Sequence, residues 1–360
     1  MGTKLESNTN NKINNKINNI EYLDSNFYNF EFIKELTFDS KGSLNMSLDN
    51  SFAVFNSYDD IMYLVYSNGM LTMVLYNLID YKRINAVKNA HQSNINCFRY
   101  CQDKKNKRDI IMSVSELDNN IKLWNVKNLE CLVDIKKINN CPHLFSACFL
   151  NDNDKIYIIS SHCLIGGLSN PINVYDFNGG KKKVINNSRE KTYFIDSYYD
   201  NNLNTNFIIT GNNGFSKSYD FDKNEIYHKY NDNDFQNHIS IIIKNNEKKV
   251  KLIESSLDGN IRIWDFYNAI LLEKIKANDD WIFTICLWND KYLFITCYEG
   301  ILKILNLENG LFIKKKLETH KYKSLTSIKK IFHPEYEECL ISQGSESNQI
   351  KLWGHKSGLK

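Results

Sequence analysis

No uninterrupted apolar run in this 360-residue chain approaches 18 residues, so a membrane-spanning helix is not expected. The opening MGTKLESNTN has no apolar centre, and therefore no signal peptide is expected either. Gly2 sits where an acyl chain could be attached, but Glu6 stands where that pattern needs Ser or Thr. Neither sign of charge dominates: 45 basic residues face 42 acidic ones, a net of +3. That balance does not support nucleic acid or an anionic membrane as the main partner. Glycine (15) and proline (3) are scarce, and asparagine and lysine crowd the loops instead. The nine cysteines are an odd count without any CxxC, which fits free thiols packed as small hydrophobes in a reducing compartment. A cytoplasmic location is therefore expected, with the nucleus as the alternative because KKNKR at 104–108 fits a short import pattern. Segments with helical periodicity and caps are nearly absent. So are GxGxxG, GxxxxGK[ST], HExxH and GxSxG. Cys97/Cys101, Cys141/His143 and His162/Cys163 are local pairs rather than four-ligand zinc patterns, so no metal and no cofactor is expected.

What the chain does contain is a recurring phrase: a turn, four or five strand residues, an aromatic, then an acid or amide. It reads LDNNIKLWNV at 117–126, LDGNIRIWDF at 257–266 and NQIKLWGH at 348–355. Weaker copies are NPINVYDF (170–177), GFSKSYDF (214–221), GILKILNL (300–307) and GMLTMVLYNL (69–78). With Val74, Trp124, Tyr175, Tyr219, Trp264, Leu305 and Trp353 taken as one equivalent position, the steps are about 50, 51, 44, 45, 41 and 48 residues. A period of 40–50 residues carrying this signature marks a four-stranded propeller blade.

From about Tyr28 to Lys360 the sequence resembles the WD-repeat family. Trp264-Asp265 is the literal pair; Trp124-Asn125, Tyr175-Asp176 and Tyr219-Asp220 are close variants, while Leu305-Asn306 and Trp353-Gly354 depart further. The expected fold is all-β, a seven-bladed propeller of four-stranded antiparallel blades over 28–360, preceded by a disordered Asn/Lys-rich tail at 1–27. The last blade ends at QIKLW (349–353) without an outer strand, and NFEFIKELTF (29–38) is a spare one. The resemblance implies that this N-terminal strand closes the ring, against 349–353 or the segment after His355, which removes an exposed edge.

The resemblance also implies a repeated polar network in each well-formed blade. An Asp in the turn before the third strand meets a His before the first, the His meets a Ser or Thr on the second, and that hydroxyl meets the Trp indole. His91, Ser115, Asp118 and Trp124 are the candidates in blade 2; Ser256, Asp258 and Trp264 in blade 5; His320 and Trp353 in blade 7, where Ser347 replaces the Asp. Recurrence around a ring favours scaffolding over catalysis for these acids and histidines, so no enzymatic activity is expected.

The implied role is a non-catalytic scaffold or adaptor for other proteins, a monomeric propeller within a larger complex. Aromatic anchors on the loop face are the candidate binding residues: Tyr193, Phe235, Trp281 and Tyr322. In blade 3 the loop SHCLIGGLSNP (161–171) adds Leu164, Ile165 and Leu168. Two alternatives come from other features. LWNVK (123–127) resembles the box of cullin-ligase substrate receptors, with Asn125 and Lys127 in place of Asp and Arg, and would make the chain a substrate receptor. KKNKR (104–108) and KKK (181–183) share the opposite face and could serve an acidic protein or a ribonucleoprotein, although Asp103, Asp109, Asp152 and Asp154 dilute the field.

Overall fold

A computed structural model describes residues 21–36, 52–67, 71–115, 118–136, 143–163, 171–186, 190–232, 238–246, 249–298, 300–313, 317–318, 325–344 and 350–355. Over these residues the chain forms a ring of seven sheets, and the one helix among them is a 3-10 turn at Ser25–Phe27. Each blade runs a to d outward. The a strands, such as Ile95–Asp103 in blade 2 and His143–Asp152 in blade 3, contact those of the neighbouring blades and line the centre. The sequence explains the layering. Middle strands such as Arg108–Ser115 and Tyr292–Cys297 are nearly all apolar or small, because neighbouring blades cover both of their faces. Outer strands such as Lys82–Val87 carry charged residues and remain exposed.

The core is divided by the ring into seven clusters, each spanning two adjacent blades. Blades 2 and 3, for example, meet through Cys97, Ile110, Met112, Leu123, Leu144, Ala147 and Tyr175. Burying such side chains stabilises by roughly 1.5–3 kcal/mol each, so the seven interfaces rather than any single blade hold the ring together.

Closure is achieved directly. Phe30–Leu36 pairs antiparallel with Ile350–His355, from Phe30 opposite His355 to Leu36 opposite Ile350. The register slips between Phe32 and Lys34, opposite Trp353 and Leu352. Blade 2 slips at the same place, where Cys131 and Val133 oppose Trp124 and Leu123. The N-terminal strand thus reproduces the outer strand of a sequential blade down to its bulge.

One feature departs from expectation. Part of the segment 21–27, assigned above to the tail, contacts the ring. Glu21–Tyr22 pairs parallel with Leu311–Ile313 at the edge of blade 6. Phe27 is 1 % exposed, with its ring 4.8 Å from that of Tyr292 and 5.8 Å from that of Phe294. The Tyr292 hydroxyl donates to Asp24 Oδ2 (2.8 Å) and accepts from the Asn26 amide (2.9 Å). This strap bridges blades 6 and 7.

Candidate functional site

The motif residues can now be placed. In blade 2, His91 is buried with Nδ1 3.3 Å from Asp118 Oδ2 and Nε2 2.7 Å from Ser113 Oγ. The Trp124 indole donates to the same Ser113 oxygen (2.8 Å). Asp118 also accepts the Gln92 backbone N–H (2.8 Å). Burial alone would raise the Asp118 carboxyl, but the bonds from His91 and Gln92 prevail and hold it at about 2. Three of the four expected residues therefore meet, and the fourth is corrected: the hydroxyl is Ser113, not Ser115. Register is the reason. Ser113 lies directly opposite Lys122, two residues before Trp124, so its side chain shares the face of the indole. Ser115 is buried beside Asp118 without a hydrogen bond of normal geometry.

Blade 5 is corrected more deeply. The Trp264 indole donates to Glu254 Oε1 (2.9 Å), and Glu254 Oε2 accepts from Ser216 of blade 4. Glu254 opposes Arg262, the same register position that Ser113 holds in blade 2. Ser256 reaches only the backbone N–H of Asp258, at 3.5 Å. Asp258 is bound instead by Arg262, a fully buried guanidinium whose Nε also donates to Asp232 Oδ2 (2.6 Å). Asp232 is shared with Lys274 (2.9 Å). Burial opposes ionisation of Asp258, yet the Arg262 pair overrides it and holds the carboxyl well below the usual carboxylate range. In blade 7 the Trp353 indole donates to Ser342 Oγ (2.8 Å), while His320 and Ser347 lie outside the described residues.

The acid or amide after the aromatic has a separate task. Asn77, Asn125, Asp176, Asp220, Asp265 and Asn306 each accept the backbone N–H two residues on, at 2.7 to 3.1 Å. In five of these turns the residue four places on has left-handed backbone: Tyr81 (φ 55°), Leu129 (55°), Asn224 (60°), Ala269 (52°) and Gly310 (68°). The side chain offsets the strain of that turn into the outer strand. This places the blade 1 repeat position at Tyr76-Asn77 rather than Val74, and the bulge between Leu75 and Tyr76 agrees. At Gly354 the neighbouring outer position is taken by the closing strand, with Glu31 directly opposite. A Cβ there would lie 2.7 Å from Ile33 Cδ1 on the closing strand.

The interaction candidates are distributed as follows. Trp281, just before the inner strand of blade 6, is 39 % exposed, and Tyr298, in the turn between its second and third strands, is 42 % exposed. Their rings meet edge to face at 5.6 Å over the buried Phe283. Lys303 fastens the base of this loop, donating to the Ala277 carbonyl (2.8 Å) and Asn278 Oδ1 (3.0 Å). Tyr298 was missed in the sequence, and the turn it shares with Gly300 was the available signal. Tyr193 is half-buried in the bulge that opens blade 4. Phe235, Tyr322, Leu164, Ile165 and Leu168 lie outside the described residues. On the other face, Lys127 is exposed and Asn125 is occupied in its own turn. Among the described residues no three His, Cys, Asp or Glu side chains converge to hold a metal ion, and no helix is long and apolar enough to cross a membrane.

The family model of the WD domain, G-beta repeat, matches residues 83–125. The matched stretch covers the outer strand of blade 1 and the first three strands of blade 2, ending one residue after Trp124. No curated protein matches the chain.

Proposed function

We propose that this seven-bladed WD-repeat propeller is a non-catalytic scaffold that assembles other proteins through the loop face carrying Trp281 and Tyr298. WD-repeat propellers are in general platforms for protein interaction, and here His91, Asp118 and Asp258 are engaged in bracing the ring. The observation that carries the reading is the exposed aromatic pair on a fastened loop. Two large rings held edge to face lose little entropy on binding and present contact area of the kind found at interface centres. Asp279 and Asp280 beside Trp281 supply a polar rim. Cys97, Cys101, Cys148, Cys286, Cys297 and Cys339 are buried thiols, which supports placing the scaffold in a reducing compartment, the cytoplasm.

The reading is tested by quantitative affinity purification of the full chain against a Trp281→Ala/Tyr298→Ala variant. Loss of Trp-class anchors costs about 2 kcal/mol or more each, so bound partners should fall at least tenfold while the melting temperature holds. An unchanged partner set would overturn the assignment of this face.

A further inference from the structure

On the opposite face a groove of about 540 Å³ opens between blades 2 and 3. The turns Asp103–Arg108 and Asp154–Lys155 form two of its walls, and the turn from Asp176 to Lys182 forms the third. Its cations are Lys105, Arg108, Lys155 and Lys182, and its carboxylates are Asp103, Asp154 and Asp176. Two pairs are already made: Lys182 with Asp176 at 2.7 Å, and Arg108 with Asp103 at 2.8 Å. Among the described residues Lys105 and Lys155 make no ion pair.

Arg108 is the informative residue. Its Nε donates to Asp103, and its guanidinium lies over the Phe177 ring, 4.7 Å from the centroid. The plane of the fork is fixed from two sides while its side chain stays 30 % exposed. Neither Nη group is hydrogen-bonded among the described residues, which leaves their edge of the fork available to a ligand. Such a pre-oriented fork fits a planar oxyanion in bidentate geometry.

We propose that this groove docks an acidic peptide segment of a partner protein. A glutamate or aspartate carboxylate takes the free edge of Arg108. Lys105 and Lys155 attract flanking carboxylates, and an apolar neighbour in the peptide rests on the half-buried Ile156 and Tyr157. Arg108 already covers one face of the Phe177 ring, which leaves a nucleic-acid base less room to stack there. The inference goes beyond the scaffold reading and uses the other face of the ring, so Trp281→Ala separates the failure of one from the failure of the other.

Fluorescence anisotropy on the full chain tests it. The probe is a fluorescein-labelled glutamate-rich peptide with one phenylalanine, compared with its glutamine and phosphoserine counterparts and with a single-stranded oligoribonucleotide. The glutamate peptide should bind in a salt-sensitive manner, and the glutamine peptide at least about tenfold more weakly. Arg108→Lys keeps the charge but loses the fork, and should cost about tenfold, with Trp281→Ala neutral. If Arg108 variants lower the melting temperature, Lys105→Gln/Lys155→Gln, confined to exposed side chains, should still weaken binding several-fold. Absent binding, equal binding of the glutamine peptide, tighter binding of phosphopeptide or RNA, or full affinity in the fold-intact variants overturns the proposal.

Discussion

Blades 2 and 5 hold their tryptophans at the same place in the sheet by different chemistry. In blade 2 the brace is a hydroxyl and an imidazole: Trp124, Ser113 and His91 in line, ending at Asp118. In blade 5 the imidazole of that line gives way to formal charge: Glu254 under Trp264, with Arg262 between Asp258 and Asp232. The difference teaches that the repeat specifies a position and a need, a partner for a buried indole N–H and for a turn carboxylate, rather than particular residues. It also separates the energetics. Hydroxyl hydrogen bonds contribute about 1 kcal/mol each, whereas a buried ion network matters most when one member is removed.

The comparison can be broken most forcefully at Arg262. Arg262→Met takes the guanidinium from both Asp258 and Asp232, and should cost about 3–5 kcal/mol in urea-induced unfolding. A loss under 1 kcal/mol would mean that the charges are not interdependent. In blade 2 the expected effect is smaller. Ser113→Ala orphans the indole and one imidazole nitrogen and should cost about 1–3 kcal/mol, against no more than about 0.5 for Ser115→Ala. Equal losses at the two serines would contradict the register. The smallest effect is pH dependence. The folded Asp118 carboxyl sits at about 2, below its ordinary 3.8, so its contribution is complete above the unfolded value and is lost as pH falls through 2. Between pH 5 and 3 the parent should lose about 1 kcal/mol more than Asp118→Asn. Parallel pH profiles would remove Asp118 from the brace.

The ring was legible in the sequence because blade-to-blade spacing and the aromatic–acid phrase are local signals that recur. The closing strand was legible because a blade without an outer strand must find one. Ser113 and Glu254 were not, because they are defined by which residue lies across the sheet from the position two before the tryptophan. A polar residue 10 or 11 places before Trp124, Trp264 and Trp353 is the trace that register leaves in the sequence. Phe27 was missed for a related reason: its neighbours Tyr292 and Phe294 lie at the other end of the chain, and an Asn-rich context hides a single anchor. The Arg108 fork was visible only as part of a lysine-rich turn, because what orients it, Phe177, belongs to the next blade.

Pairing of Phe30–Leu36 with Ile350–His355 also sets an order in time. The strand that seals the ring leaves the ribosome some 320 residues before its partner. At ordinary translation speeds that is a wait on the order of 15–60 s, during which this β-segment, with Phe30, Phe32, Ile33 and Leu36, has no native mate. Blades 1 to 6 can each zip up in sequence as they appear. The seventh is assembled only when Phe30–Leu36 and Ile350–His355 can meet, so a chain stalled before Ile350 would keep an adhesive strand exposed to chaperones and to other chains.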